Sequence, residues 1–202
     1  MKKKFIAGIS LLVLAICMVS YGFKSTASVS KGESALIKWY TLEEAQRLSD
    51  SIPRKIFVDF TTSWCGWCKV MDQNTFSNPI IAKYMNEHFY CVRFDAETRD
   101  TATFNGQKFF NRGPVGQKSA HDFPITVLQG RLSYPSFAFI SKDRKSFTIM
   151  QGYQPPEQFE PYIHYYGEDK ELTLTWDEFM KTFKSELPKK EEPKKPIGPP
   201  QN

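Results

Sequence analysis

A chain of 202 residues with 41% hydrophobic and 15% aromatic residues can bury one substantial core, so we expect one domain with attachments at its ends. The formal net charge of +5 comes partly from lysines near both termini. Because no DNA- or RNA-binding motif accompanies this charge, it does not indicate a nucleic-acid partner.

The N-terminus has the residue order of a secretory signal peptide. Lys2 to Lys4 precede an apolar run from Phe5 to Val19, which is too short to predict a membrane span. Small residues at Ser25-Thr26-Ala27 predict cleavage there, so residues 1–27 would be removed. Cys17 supports a second interpretation, a lipoprotein signal with a lipid anchor, although Ile16 is bulkier than the small residue usual before such a cysteine. Either leader predicts a periplasmic or otherwise exported protein, in a compartment where disulfides persist.

Helix signals alternate with strand signals over residues 28–186, which we expect to form the folded domain. Thr41 and Glu44 form a capping box ahead of one helix, and Pro79 disfavours helical backbone at the residue before it. The predicted helices cover Leu42 to Asp50, Cys65 to about Asn78, a segment beginning at Pro79, His121 to Gln129, Pro156 to Tyr166, and about 176–186.

The predicted strands fall into a parallel and an antiparallel group. The run from Lys55 to Phe60 does not alternate apolar with polar residues, which predicts a strand buried on both faces. Helical segments separate it from Phe89 to Phe94, and this strand–helix–strand order predicts a parallel pair with a right-handed connection. Ser136 to Ile140 and Ser146 to Met150 predict an antiparallel pair.

Two segments are less regular. Within residues 96–130, Thr103 to Phe109 predicts a hairpin with an Asn-Gly turn, and Gly113 to Gly116 predicts a loop. Residues 187–202 are rich in lysine and proline, which predicts a disordered, solvated tail. That tail is either a spacer or a basic contact arm.

Cys65 and Cys68 form a Cys-x-x-Cys pair with three conceivable roles. Structural zinc needs four ligands, and neither a second cysteine pair nor a histidine at ligand spacing accompanies this one, so we expect no metal. A purely structural disulfide across so short a loop would remove little entropy from the unfolded chain. The third role, thiol–disulfide exchange, agrees best with the neighbouring residues.

A cysteine in the first turn of a helix meets unpaired N–H groups and the positive end of the helix dipole, which lower the pKa of its thiol. Cys65 is in that position and is therefore the predicted nucleophile, with Cys68 one turn later as the resolving thiol. Lys69 adds positive charge nearby and is expected to tune the pKa. The remaining Cys91 lies in an apolar strand and is expected to be an inert core residue.

Asp59 lies in the middle of the predicted buried strand. A carboxylate buried without a partner costs several kcal/mol or remains protonated with a raised pKa. We expect it at the base of the cysteine helix, where it could accept the proton of Cys68. The alternative is that Asp59 is a cap or pairs with a basic group such as Lys55.

Several short motifs resemble the thioredoxin superfamily in their order and spacing. They are Phe57 to Phe60, Trp64 to Lys69 (WCGWCK), Tyr134-Pro135 before a strand, and Gly152 after the next strand. The resemblance spans residues 37–166 and is closest to exported bacterial thiol-disulfide oxidoreductases with this WCGWCK motif.

The resemblance implies an α/β thioredoxin fold, with a central mixed sheet flanked by helices. Residues 96–130 would be an insert before the strand that follows a cis proline, and 176–186 an extra C-terminal helix. Pro135 would be that cis proline, lying against the cysteines, and the backbone of Tyr134 would pair with an extended substrate. Asp59 would be the buried acid that assists the second cysteine.

Two departures from the superfamily affect the functional prediction. Trp67 replaces a common proline between the cysteines, so Gly66 and Trp67, which we also expect to contact the substrate, are expected to influence the redox potential and the direction of electron flow. The aromatic side chains of Trp64 and Trp67 are expected to form an apolar substrate platform. The insert at 96–130 is longer than the simple fold requires and is expected to shape substrate choice.

These observations predict an exported thiol-disulfide oxidoreductase that exchanges disulfides with envelope proteins through Cys65. It would use its own cysteine pair instead of a separate cofactor, and a membrane or periplasmic protein would restore its redox state. The alternative is a thioredoxin-like binding or chaperone module whose redox pair is incidental, with the insert or the tail as its interaction surface.

Overall fold

The computed structural model describes residues 36–188. The predicted signal peptide, the possible anchor at Cys17 and all but the first two residues of the predicted tail lie outside this range. Five strands form one sheet in the order β1-β3-β2-β6-β7, and two more form a separate hairpin. The strands are β1 Trp39–Tyr40, β2 Lys55–Thr61, β3 Phe89–Asp95, β4 Ala102–Phe104, β5 Gln107–Phe109, β6 Ser136–Ile140 and β7 Phe147–Gln151. The helices are α1 Leu42–Ser51, α2 Gly66–Met71, α3 Pro79–His88, α4 Asp122–Val127, α5 Pro156–Gly167 and α6 Trp176–Thr182.

The central strand β2 organises the sheet. It pairs in parallel with β3, with Phe57 opposite Cys91, and antiparallel with β6, with Phe57 opposite Phe139. Its first six residues are buried, which confirms the prediction of a strand covered on both faces. The mixed sheet flanked by helices is also confirmed. Strand β1, parallel to β3, was not predicted because two residues carry no periodic signal.

Alternate residues of β2 contribute to two separate cores. Ile56, Val58 and Phe60 pack in a cluster with residues of α1, the hairpin and α4. Phe57 packs in a second cluster with residues of α3, α5 and the helical segment that contains the cysteines. Because side chains alternate across a strand, Asp59 lies on the same face of β2 as Phe57. The position of Asp59 is therefore on the side covered by the cysteine helix.

The cysteine helix changes from α-helical to π-helical hydrogen bonding after its first six residues. Residues Asp72–Phe76 form a π-helical segment directly after α2, and the chain leaves the helix at Ser77. Asn78 then caps α3, since its side chain accepts hydrogen bonds from the N–H groups of Ile80 and Ile81. The break before Pro79 is confirmed, whereas the π-helical segment was not predicted.

The insert begins after β3 and contains the predicted hairpin. Asn105 and Gly106 both have positive φ angles, 49° and 78°, as the tight Asn-Gly turn requires. His121 caps α4, with its Nδ1 accepting a hydrogen bond from the N–H of Phe123 at 3.1 Å. The ring is fully buried, and burial lowers the pKa of His121. No helix within residues 36–188 is long and apolar enough to cross a membrane.

The buried carboxylate of Glu160 binds the C-terminal segment of the domain, residues 185–187. Helix α6 packs on α5 through stacking of Trp176 on Tyr162, with ring centroids 4.4 Å apart. Glu160, on α5, is 1% exposed and accepts hydrogen bonds from the N–H groups of Glu186, at 2.6 Å, and Leu187, at 3.3 Å. The Ser185 hydroxyl donates to the same carboxylate. Residues 185–187 thus return across α5 and are held there.

Replacing Glu160 with leucine should reduce the free energy of unfolding by about 2–3 kcal/mol, because three hydrogen bonds to its carboxyl group are lost and the N–H of Glu186 loses its partner, whereas the N–H of Leu187 keeps the Ser185 hydroxyl at 3.1 Å. Urea denaturation measures this loss, and amide hydrogen exchange should show faster exchange at residues 185–187. Glu160→Gln keeps a side-chain carbonyl acceptor and should lose less. Equal stability of the leucine variant and the unmodified protein would contradict this role for Glu160.

Candidate active site

The cysteine pair lies where the chain leaves the central strand. Strand β2 ends at Thr61, and Cys65 is the N-cap of α2. Cys65 and Cys68 form a disulfide with an S–S distance of 2.00 Å. The N–H of Cys68 points at the Sγ atom of Cys65, 3.0 Å away. A thiolate at Cys65 would therefore meet a backbone donor and the positive end of the helix dipole, as the sequence predicted.

The Tyr134–Pro135 peptide bond is cis, as the resemblance implied. A shallow groove of about 250 Å³ is lined by Trp67, Tyr134, Pro135, Gly152 and Tyr153. The structure thus brings together Trp67 from the cysteine motif and the Tyr134-Pro135 pair, which are distant in sequence. Gly152 has a positive φ of 87°, and an added Cβ there would meet no atom within 4 Å.

Aromatic rings flank the disulfide on both sides. Trp67 is 61% exposed and stacks on Tyr153 with centroids 5.6 Å apart. Trp64 is 52% exposed and meets Tyr134 edge to face at 6.0 Å. Cys65, at 4% exposure, is recessed between them. Trp64 and Trp67 are thus exposed next to Cys65, whereas their role as a substrate platform stays a prediction. Tyr153, which stacks on Trp67, was not predicted.

Gly66 and Lys69, two further residues predicted to influence the cysteine pair, are both exposed on α2. Gly66 is the first residue of α2, and an added Cβ at that position would meet no atom within 4 Å. Lys69 is exposed one turn after Cys65, and its N–H is bonded to the carbonyl of Cys65 at 3.4 Å. Among residues 36–188, Lys69 forms no ion pair, so its charge is not cancelled by a neighbouring carboxylate.

Asp59 is buried behind this surface, with 3% of its area exposed. Burial raises the pKa of its carboxyl to about 7, although the Arg93 guanidinium opposes that rise and the Asp72 carboxylate adds to it. One oxygen, Oδ2, lies 3.2 Å from the Nε atom of Arg93. The other, Oδ1, is buried and has no hydrogen-bond partner within the described part of the chain. Asp59 thus combines a raised pKa with one buried oxygen that lacks a hydrogen-bond partner among residues 36–188.

The alternative that Asp59 pairs with a basic group is confirmed, but Lys55, the example given, is not that group. Lys55 stands at the opposite end of β2, where its ammonium donates to the carbonyl of Tyr166 at 2.7 Å and to Asp169 at 2.6 Å. Glu171 adds a second carboxylate to the same ammonium. Arg93 is the basic partner of Asp59 instead, because the parallel register of β2 and β3 places the two residues opposite each other.

Arg93 joins the buried acid to the cysteine helix. Its Nη2 atom bonds the carboxylate of Asp72, whose backbone N–H donates to the carbonyl of Cys68. The guanidinium also lies over the ring of Trp39, 4.2 Å from its centroid. Arg93, Asp72 and Trp39 were not predicted as site residues. Asp72 could have been identified from the sequence, because residues four apart, such as Cys68 and Asp72, lie on the same face of a helix.

The structure also bears on metal binding and on the other cysteine. Residues 36–188 contain no cluster of three or more histidine, cysteine or acidic side chains that could hold a metal ion. Cys91 is fully buried in β3 and is not part of the disulfide. Burial raises the pKa of its thiol, and the nearby Asp59 adds to that rise. Cys91 is therefore an inert core residue, as predicted.

The strand order, the cysteine pair at the start of α2 and the cis proline before β6 together decide the fold. The chain has a thioredoxin fold. A family model, Thioredox_DsbH, described as a protein of unknown function (DUF255), matches residues 24–112, which is fewer than half of the 202 residues. The predicted resemblance to the thioredoxin superfamily is confirmed.

Curated relatives match a limited part of this thioredoxin fold. Spermatogenesis-associated protein 20 of Mus musculus is 34% identical over 64 residues, covering 31% of this chain and 8% of that protein. An uncharacterized protein of Caenorhabditis elegans has the same identity over the same length, covering 9% of that protein. An uncharacterized protein of Archaeoglobus fulgidus is 28% identical over 91 residues, covering 45% of this chain and 67% of that protein. The chain spans less than a tenth of the length of the mouse and worm proteins.

Two solved structures are also similar. A DsbH oxidoreductase is 20% identical with a TM-score of 0.48, covering 67% of this chain and 87% of that chain. A putative disulphide-isomerase from Bacteroides thetaiotaomicron is 20% identical with a TM-score of 0.46, covering 68% of this chain and 98% of that chain.

The raised pKa of Asp59 predicts a specific dependence of stability on pH. The carboxyl has an ordinary pKa of 3.8 and a pKa of about 7 in the folded protein, so folding favours its neutral form. Its contribution to stability is fully present below pH 3.8 and is lost as the pH rises through about 7. Relative to Asp59→Asn, the unmodified protein should lose up to about 4 kcal/mol of unfolding free energy over this interval, at about 1.4 kcal/mol per pKa unit.

Urea denaturation of both oxidised proteins between pH 4 and pH 8 measures this difference. Subtracting the curve of the asparagine variant removes the contributions of all other titrating groups that the two proteins share. Parallel stability curves for the two proteins would show that Asp59 is ionised at its ordinary pKa.

Proposed function

We propose that this protein is an exported thiol-disulfide oxidoreductase that exchanges disulfides with proteins of the cell envelope. The observation that carries the proposal is the Cys65–Cys68 disulfide at the start of α2, set beside the groove at cis Pro135. Export rests on the leader sequence at residues 1–27. Catalysis would need no separate cofactor, because the cysteine pair itself carries two electrons.

In the reducing direction, the thiolate of Cys65 attacks one sulfur of a substrate disulfide. The substrate S–S bond breaks, a Cys65–substrate disulfide forms, and the other substrate sulfur leaves as a thiolate that takes a proton from solvent. The N–H of Cys68, directed at the Sγ atom of Cys65, stabilises the attacking thiolate. An extended substrate would lie in the groove between Trp67 and Pro135, with its backbone along Tyr134.

Release of the substrate requires the second cysteine. The Cys68 thiol gives its proton to the Asp59 carboxylate and attacks the Sγ atom of Cys65. The mixed disulfide breaks, the second substrate thiolate leaves, and the Cys65–Cys68 disulfide forms. Two electrons have then passed from the cysteine pair to the substrate. The reverse sequence oxidises a substrate dithiol, with Asp59 returning its proton to Cys68.

Asp59 suits this role because its pKa of about 7 allows it to accept and return a proton near neutral pH. Arg93 holds one carboxylate oxygen and, through Asp72, the turn of helix that follows Cys68. The free oxygen, Oδ1, is the atom available to the proton. Arg93 and Asp72 are thus positioning residues that keep the acid on the side of the resolving cysteine.

A Cys68→Ala variant should accumulate mixed disulfides between Cys65 and its substrates, because the thiol that would release them is missing. The variant, expressed in full length with its leader, would be isolated under acid quenching, and its partners identified by mass spectrometry. We expect proteins of the cell envelope among them. Partners that are all cytosolic would contradict the proposed location.

The matched control is the double variant Cys65→Ser with Cys68→Ala, which should trap no partner because the nucleophile is absent. Cys65→Ser alone should abolish disulfide exchange and any cellular function that depends on it. An unchanged cellular function in that variant would support a binding or chaperone module, in which the cysteine pair is incidental.

A further inference from the structure

The insert contains a compact loop beside the cysteine motif. We call residues 111–119, between β5 and α4, the insert loop. Its contacts concern Trp64, the residue before the nucleophile, and its role would be in the oxidoreductase activity proposed above. The inference therefore rests on that proposal and adds a specificity element to it.

Arg99 holds the insert loop closed. Its Nη1 atom donates to the carbonyl of Gly113 at 2.7 Å. Its Nη2 atom lies within hydrogen-bonding distance of the carbonyls of Pro114, at 2.6 Å, and Gln117, at 3.0 Å, and of the Ser119 hydroxyl, at 3.1 Å. One guanidinium thus joins oxygens from both limbs of the loop. A planar, multidentate donor suits this task, and a lysine could not replace it.

Asn111 and Gly113 close the base of the insert loop. The amide nitrogen of Asn111 donates to the carbonyl of Ser119 at 2.7 Å, and its Oδ1 atom accepts from the Ser119 hydroxyl at 2.8 Å. An added Cβ at Gly113 would lie 2.2 Å from the Cβ of Ser119, so the two limbs approach as closely as a glycine permits. The loop is therefore preorganised.

The insert also fixes the ring of Trp64. The indole N–H donates to Glu97 at 3.0 Å, and the backbone carbonyl of Glu97 is bonded in turn to the Asn111 amide at 3.2 Å. The ammonium of Lys118, at the end of the loop, lies over the same ring, 5.1 Å from its centroid. Trp64 is thus held at its edge and on its face by the insert, next to Cys65.

The loop extends the surface around the nucleophile beyond the groove at Pro135. Val115, at its tip, is 93% exposed and follows Pro114, so the tip is apolar. A small disulfide needs contact with the sulfur of Cys65 alone. A polypeptide lying in the groove would continue past Cys65 and meet the ring of Trp64 and the loop.

We propose that Arg99 and Lys118 are specificity-determining positioning residues. Through the insert loop they hold Trp64 as a fixed wall against which an extended polypeptide packs, so that the site reacts faster with disulfides in polypeptides than with small disulfides. If these contacts are lost, the Trp64 side chain becomes mobile and must be ordered each time a polypeptide binds. The reaction with polypeptide disulfides then slows by about two- to tenfold. Reaction with a small disulfide does not use the wall.

The test compares single-turnover oxidation of the reduced full-length mature protein by two probes, insulin and bis(2-hydroxyethyl) disulfide. Lys118→Met and Arg99→Met should each slow the reaction with insulin about two- to tenfold and leave the reaction with the small disulfide within about twofold. Lys118→Arg keeps a cation over the ring and should restore the rate with insulin. Lys108→Met, an equivalent change at an exposed lysine of β5, is the matched control and should alter neither rate.

Equal slowing of both reactions, or no slowing of either, would overturn the inference and leave the oxidoreductase proposal intact. Failure of the unmodified protein to react with either probe would overturn the oxidoreductase proposal and the inference with it. Hydrogen exchange at residues 111–119 should increase in Arg99→Met, and unchanged exchange would also overturn the role given to Arg99.

Discussion

The burial of β2 on both faces is the constraint from which the rest of the site follows. Because this strand pairs with β3 on one side and β6 on the other, its position and direction are fixed along its whole length. The chain then leaves the sheet at Thr61 and begins α2 at Cys65. Strand β6, preceded by cis Pro135, reaches the same edge. The nucleophile and the groove therefore meet because both are attached to one central strand.

Placing a carboxylate in such a strand would be destabilising without compensation. The pKa of about 7 means that the cost of burying charge is reduced by protonation near neutral pH, and Arg93 offsets part of it in the ionised form. The guanidinium is shared with Asp72 and rests on Trp39. Asp59 is thereby linked to the helix that carries Cys68.

Much of this arrangement could be predicted from local sequence. The continuous apolar run around Asp59 predicted the buried strand, and the motif from Trp64 to Lys69 predicted the dithiol at a helix start. The partner of Asp59 could not be read in the same way, because an ion pair across strands depends on register. Aligning the predicted starts of the two strands, Lys55 and Phe89, would have placed Arg93 opposite Asp59. The wrong choice, Lys55, was near in sequence but at the opposite end of the strand.

Other features lie beyond local patterns for definite physical reasons. The two residues of β1 are too few for a periodic signal, and the π-helical segment after Met71 has ordinary helix-compatible residues. The contacts that the insert makes with Trp64 depend on Arg99, whose hydrogen-bond partners lie fourteen to twenty residues further along the chain. Such contacts are made by the folded insert as a whole. From the sequence we could predict an insert at residues 96–130, and its influence on substrate choice stays a prediction, but the contacts of Arg99 could not be identified.

The redox titration of the Cys65–Cys68 pair tests the central claim most directly. The full-length mature protein would be equilibrated in buffers of defined thiol–disulfide ratio, and the fraction of oxidised pair measured after thiol alkylation by mass spectrometry. We predict one reversible two-electron transition at a potential between about −270 and about −120 mV, the interval covered by thioredoxin-fold oxidoreductases. A pair that stays fully oxidised or fully reduced across that interval would contradict the account, because it could not exchange electrons with protein thiols.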